Sequence, residues 1–357
     1  MKKLTLCLLA AVFAVSAMAQ NEHIWSVKKA NQWYEKQGWL VGGNFLPSTS
    51  INQLEMWQAD TFDTATISRE LGYAAGIGMN TMRVFLHDLL WNDDAKGFKK
   101  RMDIFLTIAS HHHIKPLFVF FDDCWNPNAK SGKQPEPKLG IHNSGWVKSP
   151  SNDVYNDSTQ WGYLQTYVTD ILKTFRNDKR ILLWDVYNEP TKRKGGAISL
   201  PLLKKVFEWA WAVRPSQPIT SGIELHREDV QPIINYQRDY SDVISFHNYG
   251  DSNSLKRNIE ELQKKGRPVI CTEFMARPKK SLFMTHLPIF KRYKVAAINW
   301  GLVSGKSNTI YAWDDKTHTD GSEPALWFHD VFRKDGTPYD VNETNLIRQL
   351  TGGTKGN

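Results

Sequence analysis

Ile181-Leu182-Leu183-Trp184-Asp185-Val186-Tyr187 is a short apolar run of strand character that ends abruptly in Asn188-Glu189-Pro190. Proline has no N–H to give to a ladder and fixes its own φ, so Pro190 stops the strand and sets how the chain leaves it. Asn188 and Glu189 have no reason to lie in a core and must face solvent or a site. On either side, residues 159–175 and 202–212 carry apolar side chains at helical spacing. A strand framed by two helices implies parallel pairing through right-handed crossovers.

The same alternation extends outward in both directions. Strand-like runs fall at 39–45, 82–87, 116–121, 181–187, 219–223, 243–247, 268–272 and 296–300. Helical patterns separate them at 64–76, 98–112, 159–175, 202–212, 229–236, 254–264 and 282–293. Eight strand–helix units over most of the chain predict a closed (β/α)8 TIM barrel, with long loops at the carboxyl-end face where barrel sites are built. An open doubly wound sheet would want a glycine fingerprint after the first strand, and Gly42-Gly43-Asn44-Phe45 does not supply one. The connection at 122–157 is long and rich in Asn, Pro, Gly and Ser, the mark of a functional or a mobile loop.

Composition narrows the class further. Lys2 and Lys3, an apolar stretch from Leu4 to Val15, and Ala17-Met18-Ala19 read as a cleavable secretory signal over residues 1–19. The remainder, 20–357, is expected to be a single catalytic domain exported to the periplasm or the extracellular space. The apolar stretch falls short of the roughly 20 residues that a span requires, so no membrane span is expected. Only Cys124 and Cys271 follow the signal, and their places after strand three and inside strand seven predict that they stay unpaired. The net charge of +8 is scattered in short runs such as Lys99-Lys100-Arg101, which suits solvated helix faces and loops rather than a nucleic-acid partner. Fourteen tryptophans stand out, several of them in loops (Trp91, Trp125, Trp146, Trp313). Their flat apolar faces suit sugar rings. A monomer acting on carbohydrate is the expected state.

The strongest chemical signal is a pair. The seventh strand, Pro268-Val269-Ile270-Cys271-Thr272, ends in Glu273 as the fourth ends in Glu189, so two strands present a glutamate at one rim. Glycoside hydrolysis needs two such groups, one to protonate the leaving oxygen and one to meet the positive charge growing at the anomeric carbon. A separation of about 5–5.5 Å lets the second group attack and retains configuration, whereas about 6.5–9.5 Å admits a water and inverts it. Asp122, Asp123 and Glu224 also fall at strand ends and are rival acids.

Asn188-Glu189-Pro190 after strand four, with Glu273 after strand seven, resembles the large clan of barrel-fold retaining glycoside hydrolases, nearest to the cellulase-like glycoside hydrolase family 5. The resemblance extends to Asn80-Thr81-Met82-Arg83, to His247-Asn248-Tyr249 after strand six and to Trp300 after strand eight. It implies that Glu189 is the acid/base and Glu273 the nucleophile, that Asn188 holds a sugar hydroxyl, and that Trp300 is the platform under the reacting ring. Arg83 would keep Glu273 ionised, or else pair with Asp185; Tyr249 would hydrogen-bond the nucleophile; His87 and His247 are further polar candidates for substrate binding. Glu189 would need a raised pKa to hold its proton, which burial could supply. Where the family often has histidine near the end of strand three, this chain has Phe121-Asp122-Asp123.

Other functions leave marks that this sequence lacks. A Schiff-base lyase would want lysine at a strand end, and none of the eight runs ends in one. No cofactor or metal is expected: there is no His-Glu-x-x-His, no Cys-x-x-Cys and no complete phosphate loop, and His111-His112-His113 point in different directions at a helix end. A carbohydrate-binding barrel without activity would have lost a carboxylate. A transglycosylase would use the same residues.

Overall fold

In the computed structural model, which describes residues 23–352 apart from 194 and 225–227, all eight expected strands form. They are β1 (Val41–Asn44), β2 (Thr81–Phe85), β3 (Lys115–Asp122), β4 (Trp184–Asn188), β5 (Ile219–Glu224), β6 (Ile244–His247), β7 (Val269–Glu273) and β8 (Ala296–Asn299). Every pairing is parallel, and β8 returns to β1 through Val41 opposite Ala297, so the sheet closes into a barrel in sequence order. The export signal expected at 1–19 lies outside the described residues.

Helices cover the outside because each carries one apolar face. In Ser252–Gln263 the buried positions Leu255, Asn258, Ile259 and Leu262 repeat at the helical period. Asp63 begins Thr64–Gly76 by accepting a hydrogen bond from the Thr66 N–H at 3.0 Å. One boundary differs from expectation. Helix Asp88–His111 starts well before residue 98, because His87 caps it and the chain breaks helical geometry only at Asp94. Three aspartates in the first turns, Asp88, Asp93 and Asp94, hide that start from the apolar period.

The barrel interior is divided by height. Leu117, Leu183, Val243, Ile270, Ala296 and Ile298 fill the lower part and pack with Trp25, Ala30 and Leu40. Helix Val27–Glu35 lies across that end, held where Asp242 accepts from the Trp25 N–H at 2.7 Å and Arg267 donates to the Trp25 carbonyl at 2.8 Å. Truncating a leucine in such a plug costs about 2–5 kcal/mol. Above it the interior becomes polar. Arg83 of β2 spans the barrel to reach Asp185 of β4 and Glu273 of β7.

Candidate active site

The carboxyl ends of the strands surround a cavity of about 690 Å³, whose lining includes Asn188, Glu189, His247, Tyr249, Glu273 and Trp300. Two irregularities aim its central groups. Glu189 leaves β4 with φ of 41°, and the β4–β5 ladder slips between Asp185 and Asn188. A non-glycine residue in this region carries a strain of about 1–3 kcal/mol. The turn swings the carboxylate over the rim instead of continuing the strand's alternation. Between β6 and β7 the register skips Thr272, so that His247 stands opposite Glu273.

The imidazole consequently sits between the carboxylates. Its Nδ1–H donates to Glu189 Oε1 at 2.7 Å and lies 3.6 Å from Glu273 Oε2. One oxygen of each glutamate and one ring nitrogen of His247 all fall within 4.8 Å of one another. Glu273 is gripped from below by Arg83 Nη1 at 2.7 Å and from the side by the Tyr249 hydroxyl at 2.8 Å. Glu189 receives the Cys124 thiol at 3.2 Å and has the Lys192 ammonium at 3.6 Å.

Arg83 is fully buried, and its donors are all engaged: two reach Asp185, at 3.2 and 2.8 Å, one reaches Asn188 at 2.6 Å, and Nη1 also meets Asn44 at 3.1 Å. One guanidinium therefore contacts both Glu273 and Asp185. It does not line the cavity, however, and corrects the reading of Arg83 as a substrate contact: it positions groups that do. His87 is corrected more fully. It is buried, its Nε2 meets the Lys148 carbonyl at 2.9 Å, and its Nδ1 accepts from the Leu89 N–H at 3.2 Å. β2 ends two residues before it, so the ring caps a helix instead of facing the cavity.

Charge distribution follows these contacts. Burial raises the Glu189 carboxyl, but the His247 hydrogen bond and charge, with Lys192 and Cys124, outweigh it and bring it down to about 2. Burial lowers His247, and the two glutamates more than reverse that, raising it. Burial, with the Glu189 charge adding to it, raises the Glu273 carboxyl above its ordinary value, and His247, Arg83 and Tyr249 offset that rise only in part. The raised pKa expected of Glu189 is thus not what the arrangement gives. The proton lies on the imidazole side of the hydrogen bond, one short transfer from the carboxylate. Among the described residues this trio is also the one set of ligand-type groups close enough to share a cation.

The cavity floor is aromatic. Trp300, 9 % exposed, packs edge-on against Phe85 and Trp146 with ring centroids 5.8 and 5.5 Å apart. The Trp146 indole N–H donates to Asp122 at 2.7 Å, and Asp122 in turn accepts from Asn188 at 2.9 Å. Burial pushes the Asp122 carboxyl up to about 6 against these donors. The rival acids also line the cavity, but each has partners of its own: Asp123 lies in a buried cluster with Arg193, Tyr187 and Ser199, and Glu224 pairs with Lys192. Cys124 and Cys271 are both free thiols. Sequence reasoning missed the contacts of Cys124 and Lys192 with Glu189, although each lies within three residues of a strand end already singled out.

Comparison with known proteins agrees with this geometry. The model of the family described as cellulase (glycosyl hydrolase family 5) matches residues 138–316, a stretch that includes both glutamates. The chain belongs to glycosyl hydrolase family 5. Solved structures share the fold at low identity. The endo-1,4-beta-D-mannanase of Thermotoga petrophila RKU-1 has a TM-score of 0.57 at 13 % identity, covering 88 % of this chain and 99 % of its own. An exo-beta-1,4-mannosidase from Opitutaceae bacterium strain TAV5 has 0.58 at 18 %, over 88 % and 60 % of the two chains. A beta-glucosidase, 1317, has 0.58 at 12 %, over 89 % and 100 %. A search of curated protein sequences gave no match. This family 5 chain is a glycoside hydrolase on a (β/α)8 barrel, as its sequence predicts.

Proposed function

We propose that this enzyme hydrolyses a β-linked glycan with retention of configuration, with Glu273 as nucleophile and Glu189 as acid/base. The observation that carries the reading is the closeness of the two carboxylates, whose nearest oxygens lie within 4.8 Å. Direct attack asks for about 5–5.5 Å between the groups, and an inverting water would need about 6.5–9.5 Å.

The roles follow from what holds each group. Arg83 and Tyr249 donate to Glu273 and favour its anionic form, as a nucleophile requires. Glu273 attacks the anomeric carbon as the bond to the leaving oxygen breaks. As that oxygen gains negative charge it draws out the proton shared by His247 and Glu189 across their 2.7 Å hydrogen bond. In the second half, water attacks the glycosyl ester; Glu189 takes its proton and Glu273 departs as carboxylate. Trp300 would lie beneath the ring, and Asn188 beside its hydroxyl. Export through residues 1–19 and a single catalytic domain over 20–357 belong to the same proposal, and mass spectrometry of the mature amino terminus checks the cleavage near Gln20.

The roles separate under azide rescue. Glu189→Ala with azide is expected to give a glycosyl azide of retained configuration, because a small anion attacks the ester without a general base. Glu273→Ala is expected to give the inverted azide or none. Full activity in either variant would return the assignment to Asp122, Asp123 or Glu224.

A further inference from the structure

The rim of the barrel is unequal. On the arc from β8 through β1 to β3, three loops are stitched into one wall. The loop after β3 meets the loop after β8 where the Asn143 N–H donates to the Ser307 carbonyl at 2.8 Å. Nearby the Asn308 side-chain amide donates to the carbonyls of Lys138 and Ile141 at 2.8 and 3.3 Å. Gly140 fits so tightly against the other loop that a Cβ there would come within 2.1 Å of the His318 carbonyl oxygen, and its φ of 66° is one that glycine tolerates. The loop after β1 joins both: the Asn52 amide donates to the Gly145 carbonyl at 2.8 Å, and Lys306 pairs with Glu55 at 2.7 Å.

The wall stands on one side of the two carboxylates. Glu189 ends β4 with Lys192 and Glu224 beyond it, on the β4–β5 side, while Glu273 ends β7 beside Trp300. If Glu189 protonates the leaving oxygen, the leaving part of the substrate extends over β4–β6, and the sugar bearing the anomeric carbon lies over Trp300 with its far end toward the wall. Behind Trp300, a separate small space bounded by Asn143, Trp146, Leu302 and Ser307 measures about 20 Å³. That holds about one water molecule and no second sugar ring.

We propose that the enzyme works from the non-reducing end of its glycan and releases one monosaccharide per cleavage. The inference rests on the roles given to Glu189 and Glu273 above. A chain cleaved internally would have to continue through the seam between the loops after β3 and β8, which backbone and side-chain hydrogen bonds close. The open β4–β6 side leaves the length of the departing portion unrestricted.

The test uses reducing-end-labelled hexaoses: β-1,4-linked mannose, glucose and xylose, and β-1,3-linked glucose, with products separated during the initial-rate period. The labelled pentaose and unlabelled monosaccharide are expected first, in at least about tenfold excess over all shorter labelled products, as a single binding register requires. Labelled dioses or trioses at the earliest times, with azide rescue as proposed, would overturn this inference alone. Hydrolysis of none of the hexaoses and no aryl β-monosaccharide would overturn it together with the proposed β-glycan reading. A second variant, Gly140→Val with Asn308→Ala, alters only the seam. It is expected to admit shorter labelled products while keeping the parent's activity on aryl monosaccharides. An unchanged product series in that folded variant would show that the seam does not close the site.

Discussion

Glu273 and Glu189 lie within 4.8 Å of each other, yet the groups that hold them are of different kinds. Glu273 is bonded to a guanidinium that never gives up its proton and to a phenol that burial and the carboxylate keep protonated. Glu189 is bonded to an imidazole and a thiol, with an ammonium behind them. One carboxylate is surrounded by permanent donors; the other makes its shortest hydrogen bond with an imidazole that can exchange a proton, while burial keeps the Cys124 thiol protonated and the neighbouring carboxylates keep Lys192 charged. That contrast is what a double displacement asks of its two acids, and each side of it can be broken separately.

The largest effect is expected at Arg83. Arg83→Met leaves Asp185 and Glu273 buried without their cation, and breaking a buried pair in this way costs about 3–5 kcal/mol of stability. Below its melting temperature the variant should still lose roughly 30- to 150-fold in kcat, since about 2–3 kcal/mol of stabilisation of the proposed nucleophile goes with the charge-assisted hydrogen bond. The acid limb of its pH–rate profile should move to higher pH, because Glu273 would no longer be held ionised; a purely structural residue would leave that limb in place. Parent-like kcat in the folded variant would remove Arg83 from the mechanism.

Next in size is Tyr249→Phe. A hydrogen bond to a charged partner contributes about 1.5–3 kcal/mol, so kcat should fall by roughly 10–10²-fold with little change in KM. A change confined to KM would instead make Tyr249 a simple substrate contact.

His247→Ala breaks the other side of the comparison. His247 is raised from 6.5, so its contribution to stability is complete below that value and is lost as pH rises through the raised one. Glu189 is lowered from 4.5 to about 2, so its contribution is present above 4.5 and lost as pH falls toward 2. The Tm gap between parent and variant should therefore be widest between 4.5 and 6.5 and shrink on both sides. The alkaline limb of kcat should also move to lower pH once the imidazole no longer holds the proton. A gap independent of pH would mean that the ring matters only for packing.

The two sides also differed in how far the sequence disclosed them. Glu189 and Glu273 stood out because nothing in a core explains a carboxylate ending an apolar strand, and Arg83 only through the resemblance carried by Asn80-Thr81-Met82-Arg83. His87 misled by two residues: strand β2 stops at Phe85, and a ring read at the rim becomes a helix cap. The lowered Glu189 pKa was out of reach, since it depends on His247, whose placement comes from a skipped residue between β6 and β7. The loop seam joins residues more than 160 apart, such as Lys138 and Asn308. No local period carries such a contact.

The smallest effect is expected at Cys124, and it tests how finely the Glu189 side is tuned. The thiol donates to Glu189 Oε2 at 3.2 Å, and its sulfur accepts from the Asn188 amide at 3.7 Å. It therefore touches both the proposed acid/base and the residue expected to hold a sugar hydroxyl, and it lines the cavity itself. Cys124 sits just after β3, where Asp122 accepts from its backbone N–H at 3.0 Å, so substitution should not move the main chain. Cys124→Ser replaces a weak donor with a stronger one of smaller radius. It should hold Glu189 more firmly as the anion and lower kcat by a few-fold, about 1 kcal/mol, the net worth of an ordinary hydrogen bond. Cys124→Ala removes the donor and should move kcat the other way or leave it unchanged. Equal losses of more than about tenfold in both variants would contradict a tuning role, because that pattern belongs to a residue whose shape, rather than its proton, the site requires.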